Sequence, residues 1–128
     1  MVGFPPEHCR VVASAVDGDD GIVITDTGSA SAPYLYASRV GRRPEGWIEL
    51  GSGNALGWMG LDEEHGNVAL WDLAPPGADR VRAEFAGAVH EQAVTNRVYL
   101  FVWWRVRTPA PGAWPRLVGF RVGNVWVP

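Results

Sequence analysis

Apolar residues come in short runs that mostly alternate with polar ones, and Gly and Pro interrupt them too often for helices of ordinary length. The pattern predicts an all-β chain. Residues 10–16 read as a first strand, DGDDG as a turn, 21–25 as a second strand, DTGSAS as another turn and 33–40 as a third strand. In that third strand Tyr34, Tyr36 and Ser38 share one face, opposite Leu35, Ala37 and Arg39. The polar stretch GRRPEG reads as a loop before a short strand, WIEL. GSGNALG is a second loop before a strand near Trp58, and DEEHG a third before a strand at 67–73, which stops at Ala74-Pro75-Pro76-Gly77.

Segment 78–94 carries two patterns. Val81, Phe85, Ala88, Val89 and Gln92 fall near a helical stripe, with Asp79 available as an N-cap. Yet Val81, Ala83 and Phe85 alternate strictly with Arg80, Arg82 and Glu84, and Gly87 sits where a hairpin turn would fall. The alternation favours a hairpin. Thr95-Asn96 then turns the chain into VYLFVWWRV, whose continuous apolar character predicts a central strand buried on both faces, or one with an aromatic-covered outer side. Gly123-Asn124, between alternating apolar residues, predicts a two-residue hairpin. About nine or ten short antiparallel strands result. They must hide their apolar faces, and the expected fold is a single β-sandwich, immunoglobulin-like or related, over residues 9–128, with 1–8 as an N-terminal leader.

A chain of 128 residues can bury a core without disulfides or metal. Its 47% hydrophobic and 20% charged residues are those of a globule, and no apolar run approaches the roughly 20 residues of a spanning helix. Net charge is −3 and all 11 cations are Arg, so no broad cationic field exists to attract nucleic acid. Cys9 is the one cysteine and excludes an intramolecular disulfide. The opening MVGFPPEHCR lacks the basic start and apolar core of a secretory signal, so the chain reads as cytoplasmic or as a mature or excised part of something longer.

Asp26-Thr27-Gly28-Ser29 spells the string that carries the catalytic aspartate of pepsin-like and retroviral-type proteases, which need two carboxylates close enough to share a proton. With one such string, this chain would have to dimerise around Asp26. Leu117-Val118-Gly119 matches the hydrophobic-hydrophobic-Gly element of those enzymes, but Thr25 stands where they usually carry an aliphatic residue. The simpler reading is a turn, with Asp26 accepting a local backbone hydrogen bond. LGSGNALG lacks the spacing, the Lys and the following helix of a phosphate loop. Asp17, Asp19 and Asp20 lack the EF-hand order, and His8, Cys9, Asp62, Glu63, Glu64, His65 and His90 show no ligand spacing. No catalytic residue, metal or cofactor is expected.

Seven tryptophans stand out: Trp47, Trp58, Trp71, Trp103, Trp104, Trp114 and Trp126. Most are expected in the core. Trp103 and Trp104 must point to opposite faces of a strand, and Trp114 sits in the Pro-rich TPAPGAWPR, so Trp104 and Trp114 are the candidates for contact with a protein partner or a sugar ring.

The second half, through 68–73, Pro75-Pro76-Gly77, the alternating 80–87, 89–96 and the aromatic run 98–104, resembles the β-rich domains of uncharacterised actinobacterial proteins found with sigma-factor and anti-sigma systems. Where those domains often show Asn-Gly in the last turn, this chain has Asn96-Arg97. The resemblance implies a β-sandwich in an extracytoplasmic protein, with an interaction or sensor role and no catalytic residue. A carbohydrate-binding module, with two or more Trp rings in a row, is the alternative; the aspartic protease is a further one.

Overall fold

Turn-forming residues cut this chain into strands, which hold most of the described residues. The computed structural model describes residues 10–28, 34–53 and 58–128; the leader, Cys9, the second half of DTGSAS and the NALG of GSGNALG lie outside the described residues. The fold is all-β, with every strand pairing antiparallel and no helix among the described residues. The chain divides into two compact units, Met1–Ala55 and Leu56–Pro128.

The first unit is a meander of β1 (Arg10–Asp17), β2 (Asp20–Asp26), β3 (Leu35–Arg43) and β4 (Gly46–Gly53), paired in that order. Gly18, at φ 61°, supplies the left-handed residue of the β1–β2 turn. Val12, Ile22, Ile24 and Leu35 form the buried apolar set of the sheet. GRRPEG is mostly strand: Gly41, Arg42 and Arg43 continue β3, Gly46 opens β4, and only Pro44-Glu45 turns. Proline cannot donate to a ladder, so the reversal falls there. Opposite Arg39 and Val40 the register slips, because Val40 faces Glu49 and Arg39 faces Gly51. Leu50 is therefore the extra residue of a bulge. Its Cδ1 lies over Gly41, 2.7 Å from where a Cβ would stand, so a side chain at 41 would displace the leucine tip.

In the second unit, β5 (Trp58–Gly60), β6 (His65–Leu73) and β9 (Val98–Arg107) form one sheet in the order β5-β6-β9. β7 (Ala78–Phe85), β8 (Ala88–Ala93), β10 (Arg116–Val122) and β11 (Val125–Val127) form another, in the order β11-β10-β7-β8. The two face each other as a sandwich around Ala74, Val81, Ala83, Tyr99 and Phe101, with Leu70, Val94, Trp103 and Phe120 packed against them. Strand alternation puts Tyr99, Phe101 and Trp103 on one face of β9. Phe101 stacks on Trp103 at 5.6 Å, Trp103 meets Phe85 at 4.9 Å, and Tyr99 meets Phe120 at 5.7 Å.

Segment 78–94 is the hairpin that alternation favours, turning at Ala86-Gly87 with φ of 53° and 78°. As a strand it buries Val81 and Ala83 completely while Arg82 pairs with Glu91 across the ladder. The Gly123-Asn124 turn has φ of 57° and 67°, both left-handed as a tight hairpin requires. Asn96-Arg97 adopts the same geometry, at 55° and 64°, without a glycine.

β9 is not central. It pairs with β6 and ends the order of its sheet, although Val98, Tyr99 and Phe101 are buried and Leu100, Val102 and Trp104 half-buried. The apolar run records burial of residues on both faces, not pairing on both edges. Near its end, Gly66 faces Val106 and Val68 faces Trp103, so Asn67 alone faces both Trp104 and Arg105. This second bulge places Arg105 at φ 53°, and its N–H donates to the fully buried Asn67 Oδ1 at 3.0 Å.

Candidate interaction surface

Asp26 closes β2 as a buried residue, 7% exposed. Its Oδ1 accepts the N–H of Gly28 at 2.9 Å and of Tyr34 at 3.0 Å, while Arg10 lies 3.6 Å from Oδ2. Thr27 N–H donates to the Tyr34 carbonyl at 2.9 Å. One carboxylate oxygen thus joins the start and the end of the β2–β3 connection, which is the structural role an aspartate plays in a turn. Leu117-Val118-Gly119 lies in β10, where a Cβ on Gly119 would meet the Val127 carbonyl oxygen at 2.5 Å. That glycine lets β11 approach.

The other acidic clusters are also tied to local structure. Asp62 Oδ1 accepts the N–H of Glu64 at 2.8 Å and of His65 at 2.7 Å, which holds its carboxyl below the usual range. Asp20 pairs with Arg39 at 3.7 Å. Among the described residues no group of three or more His, Cys, Asp or Glu is arranged to hold a metal ion.

On the outer face of β7, β8, β10 and β11, arginines and carboxylates interlock. Asp79 takes both Arg121 Nε at 2.9 Å and Nη2 at 2.7 Å, a two-pronged pair that lowers the Asp79 pKa and raises that of Arg121. Glu91 accepts from Arg80 and then Arg82, and is likewise lowered. Arg116 reaches Glu84 at 3.2 Å, and the Arg82 guanidinium sits 3.7 Å above the Trp126 ring. Here each named arginine meets a carboxylate, and the face is a neutralised polar surface.

Trp103 belongs to the sandwich core, where the edge of its ring also meets His90 at 5.4 Å. Trp104, its neighbour on the strand, is half-buried, and Trp114 is 37% exposed in the loop before β10. Trp71 and Trp126 are half-buried too.

Among the described side chains the most exposed tryptophan is Trp47, at 46%, on β4. Ile48 and Leu50 beside it are each 39% exposed. The Trp47 indole leans back across the sheet, its Cζ3 3.6 Å from the Cβ position of Gly21 on β2. Ile48, opposite Gly41, and Leu50, over Gly41, lie on the other face. This strand ends the order β1-β2-β3-β4, so one row of its backbone N–H and C=O groups points away from the sheet. Sequence reasoning passed over the surface because an apolar strand reads as core. The signal available was that WIEL places apolar residues on both faces between glycines. No protein-family model matches the chain, and neither does any curated protein or solved structure.

Proposed function

We propose that the chain is a non-catalytic β-sandwich interaction or sensor domain whose recognition element is the outer edge of β4. The observation that carries this reading is the coincidence of an unpaired sheet edge with Trp47, Ile48 and Leu50, all exposed. Edge strands offer main-chain hydrogen bonds to an added strand, and flanking apolar side chains supply the contact area. Trp114 is a further exposed aromatic at which a partner gains area. The engagement of Asp26 and Asp62 in turns agrees with a domain that binds rather than turns over a substrate. The resemblance of the second half to β-rich extracytoplasmic domains supports a bacterial envelope setting.

A photo-crosslinking amino acid replacing Trp47 or Ile48, and separately Glu84 on the charged face, tests the reading in cells that make the protein. Discrete adducts from the β4 positions and none from Glu84 are expected. Equal labelling at all three, or none at any, would refute it.

A further inference from the structure

We infer that the partner of the β4 edge is a second copy of this chain, joined antiparallel across a two-fold axis that passes between Ile48 and the partner's Ile48. The inference rests on the interaction reading above and adds the occupant and the register.

Two equivalent edges that pair antiparallel are related by an axis perpendicular to the sheet, so each face continues into the same face of the partner. Directly opposite residues must then come from one face, which restricts the register to steps of two. Placing the axis at Glu49 would set two carboxylates against each other, a destabilising cross-strand pair. With the axis at Ile48, Ile48 faces its own copy, and Leu50 lies on that same face in both chains. Four apolar side chains then gather around the axis. On the opposite face Trp47 stands against the partner's Glu49, and Trp47 is itself paired with Arg42 across the β3–β4 ladder. Each row thus reads Arg42, Trp47, then the partner's Glu49. The charged ends sit two strand spacings apart, about 9.5 Å between Cα atoms, a gap the long side chains of Arg and Glu close between them once Glu49 Oε1 gives up its long 3.4 Å hydrogen bond from Ser38 Oγ. The two-fold repeats this opposite-charge pairing, so the surface complements itself in charge as well as in shape.

Other edges in the described residues carry devices against such pairing. β5 and β11 are three residues long, β1 is bulged between Val11 and Ala13, β9 is bulged at Trp104 and Arg105, and β8 places Glu91 beside its edge. On β4 the bulge at Leu50 lies beyond the stretch Trp47, Ile48, Glu49, whose pairing with β3 is regular. So short a ladder implies a micromolar rather than nanomolar dimer.

Sedimentation equilibrium on the purified chain decides it, with Ile48→Lys and Ile48→Glu made in parallel and checked for native circular dichroism. The parent should approach twice 13.9 kDa as concentration rises through the micromolar range. Each variant alone should weaken association at least tenfold, because the substitution sets like charges opposite each other. Mixed in equal amounts, the two variants should associate again, since Lys then faces Glu. A parent that stays monomeric, a dimer indifferent to residue 48, or variants that do not recombine would each overturn the inference. Adducts from Trp47 or Ile48 to a different protein would overturn the second copy as occupant yet leave the interaction reading standing; absence of any adduct would remove both.

Discussion

Replacing Asp26 by alanine deletes the acceptor of two backbone N–H groups, those of Gly28 and Tyr34. A hydrogen bond to a charged group contributes about 1.5–3 kcal/mol, but Tyr34 is half exposed and water recovers part of the loss there. The expected cost of Asp26→Ala is therefore about 2–3 kcal/mol. Asp26→Asn keeps a carbonyl oxygen aimed at the same donors and gives up only the charge, so it should cost about 1 kcal/mol. Arg10→Ala removes a long ion pair whose arginine end lies in solvent, while the buried Asp26 keeps its two backbone donors, and should stay within about 0.5 kcal/mol of the parent. Urea unfolding followed by tryptophan emission reads all three, and an unchanged m-value confirms that the native state is comparable. The ranking is the test. If the asparagine variant falls as far as the alanine variant, the charge rather than the local acceptor matters, and the turn role assigned to Asp26 is wrong. An alanine variant as stable as the parent would refute the role outright.

Two more predictions follow from backbone and burial. Arg97→Gly should raise the urea midpoint by the equivalent of about 0.5–1 kcal/mol, because relief of a left-handed side-chain conformation at φ 64° exceeds the added entropy of the unfolded chain; a lower midpoint would show that the turn is not strained. Burial, helped by the nearby Asp72 charge, pushes the Tyr99 phenol up from 10.0 to about 12. A raised folded pKa leaves stability intact below pH 10 and erodes it as pH climbs from 10 toward 12, so Tyr99→Phe should flatten part of the alkaline decline, and ultraviolet titration of the parent should show a late phenol that Tyr99→Phe removes.

Local chemistry made much of this architecture readable before any coordinates. Gly123-Asn124 and Gly87 announce their turns because glycine and asparagine accept positive φ cheaply. The helical stripe in 78–94 gave way because Arg82 finds Glu91 across a ladder and Val81 and Ala83 meet the facing sheet. Asn96-Arg97 hid its turn type, since nothing in an arginine signals a left-handed conformation. The bulge in β9 was invisible for a different reason: the residue that accommodates it, Asn67, lies 38 positions away from Arg105. Edge status was equally hidden. Trp47 and Ile48 have the composition of a core strand, and only the pairing order reveals that one side of β4 is open. Trp103 and Trp104 are adjacent in sequence, and it took the facing sheet to draw Trp103 into the core.

The Asn67 bulge also bears on how this chain can change length. Upstream and downstream of it, β6 and β9 pair in regular ladders whose inside and outside positions are fixed. Losing one residue elsewhere in β9 would exchange buried for exposed side chains along the rest of the strand. Losing Arg105 would leave Trp104 alone opposite Asn67, with Val106 still on Gly66 and Trp103 still on Val68. The bulge is thus the one described place in that strand where a codon can disappear without rewriting the pattern around it.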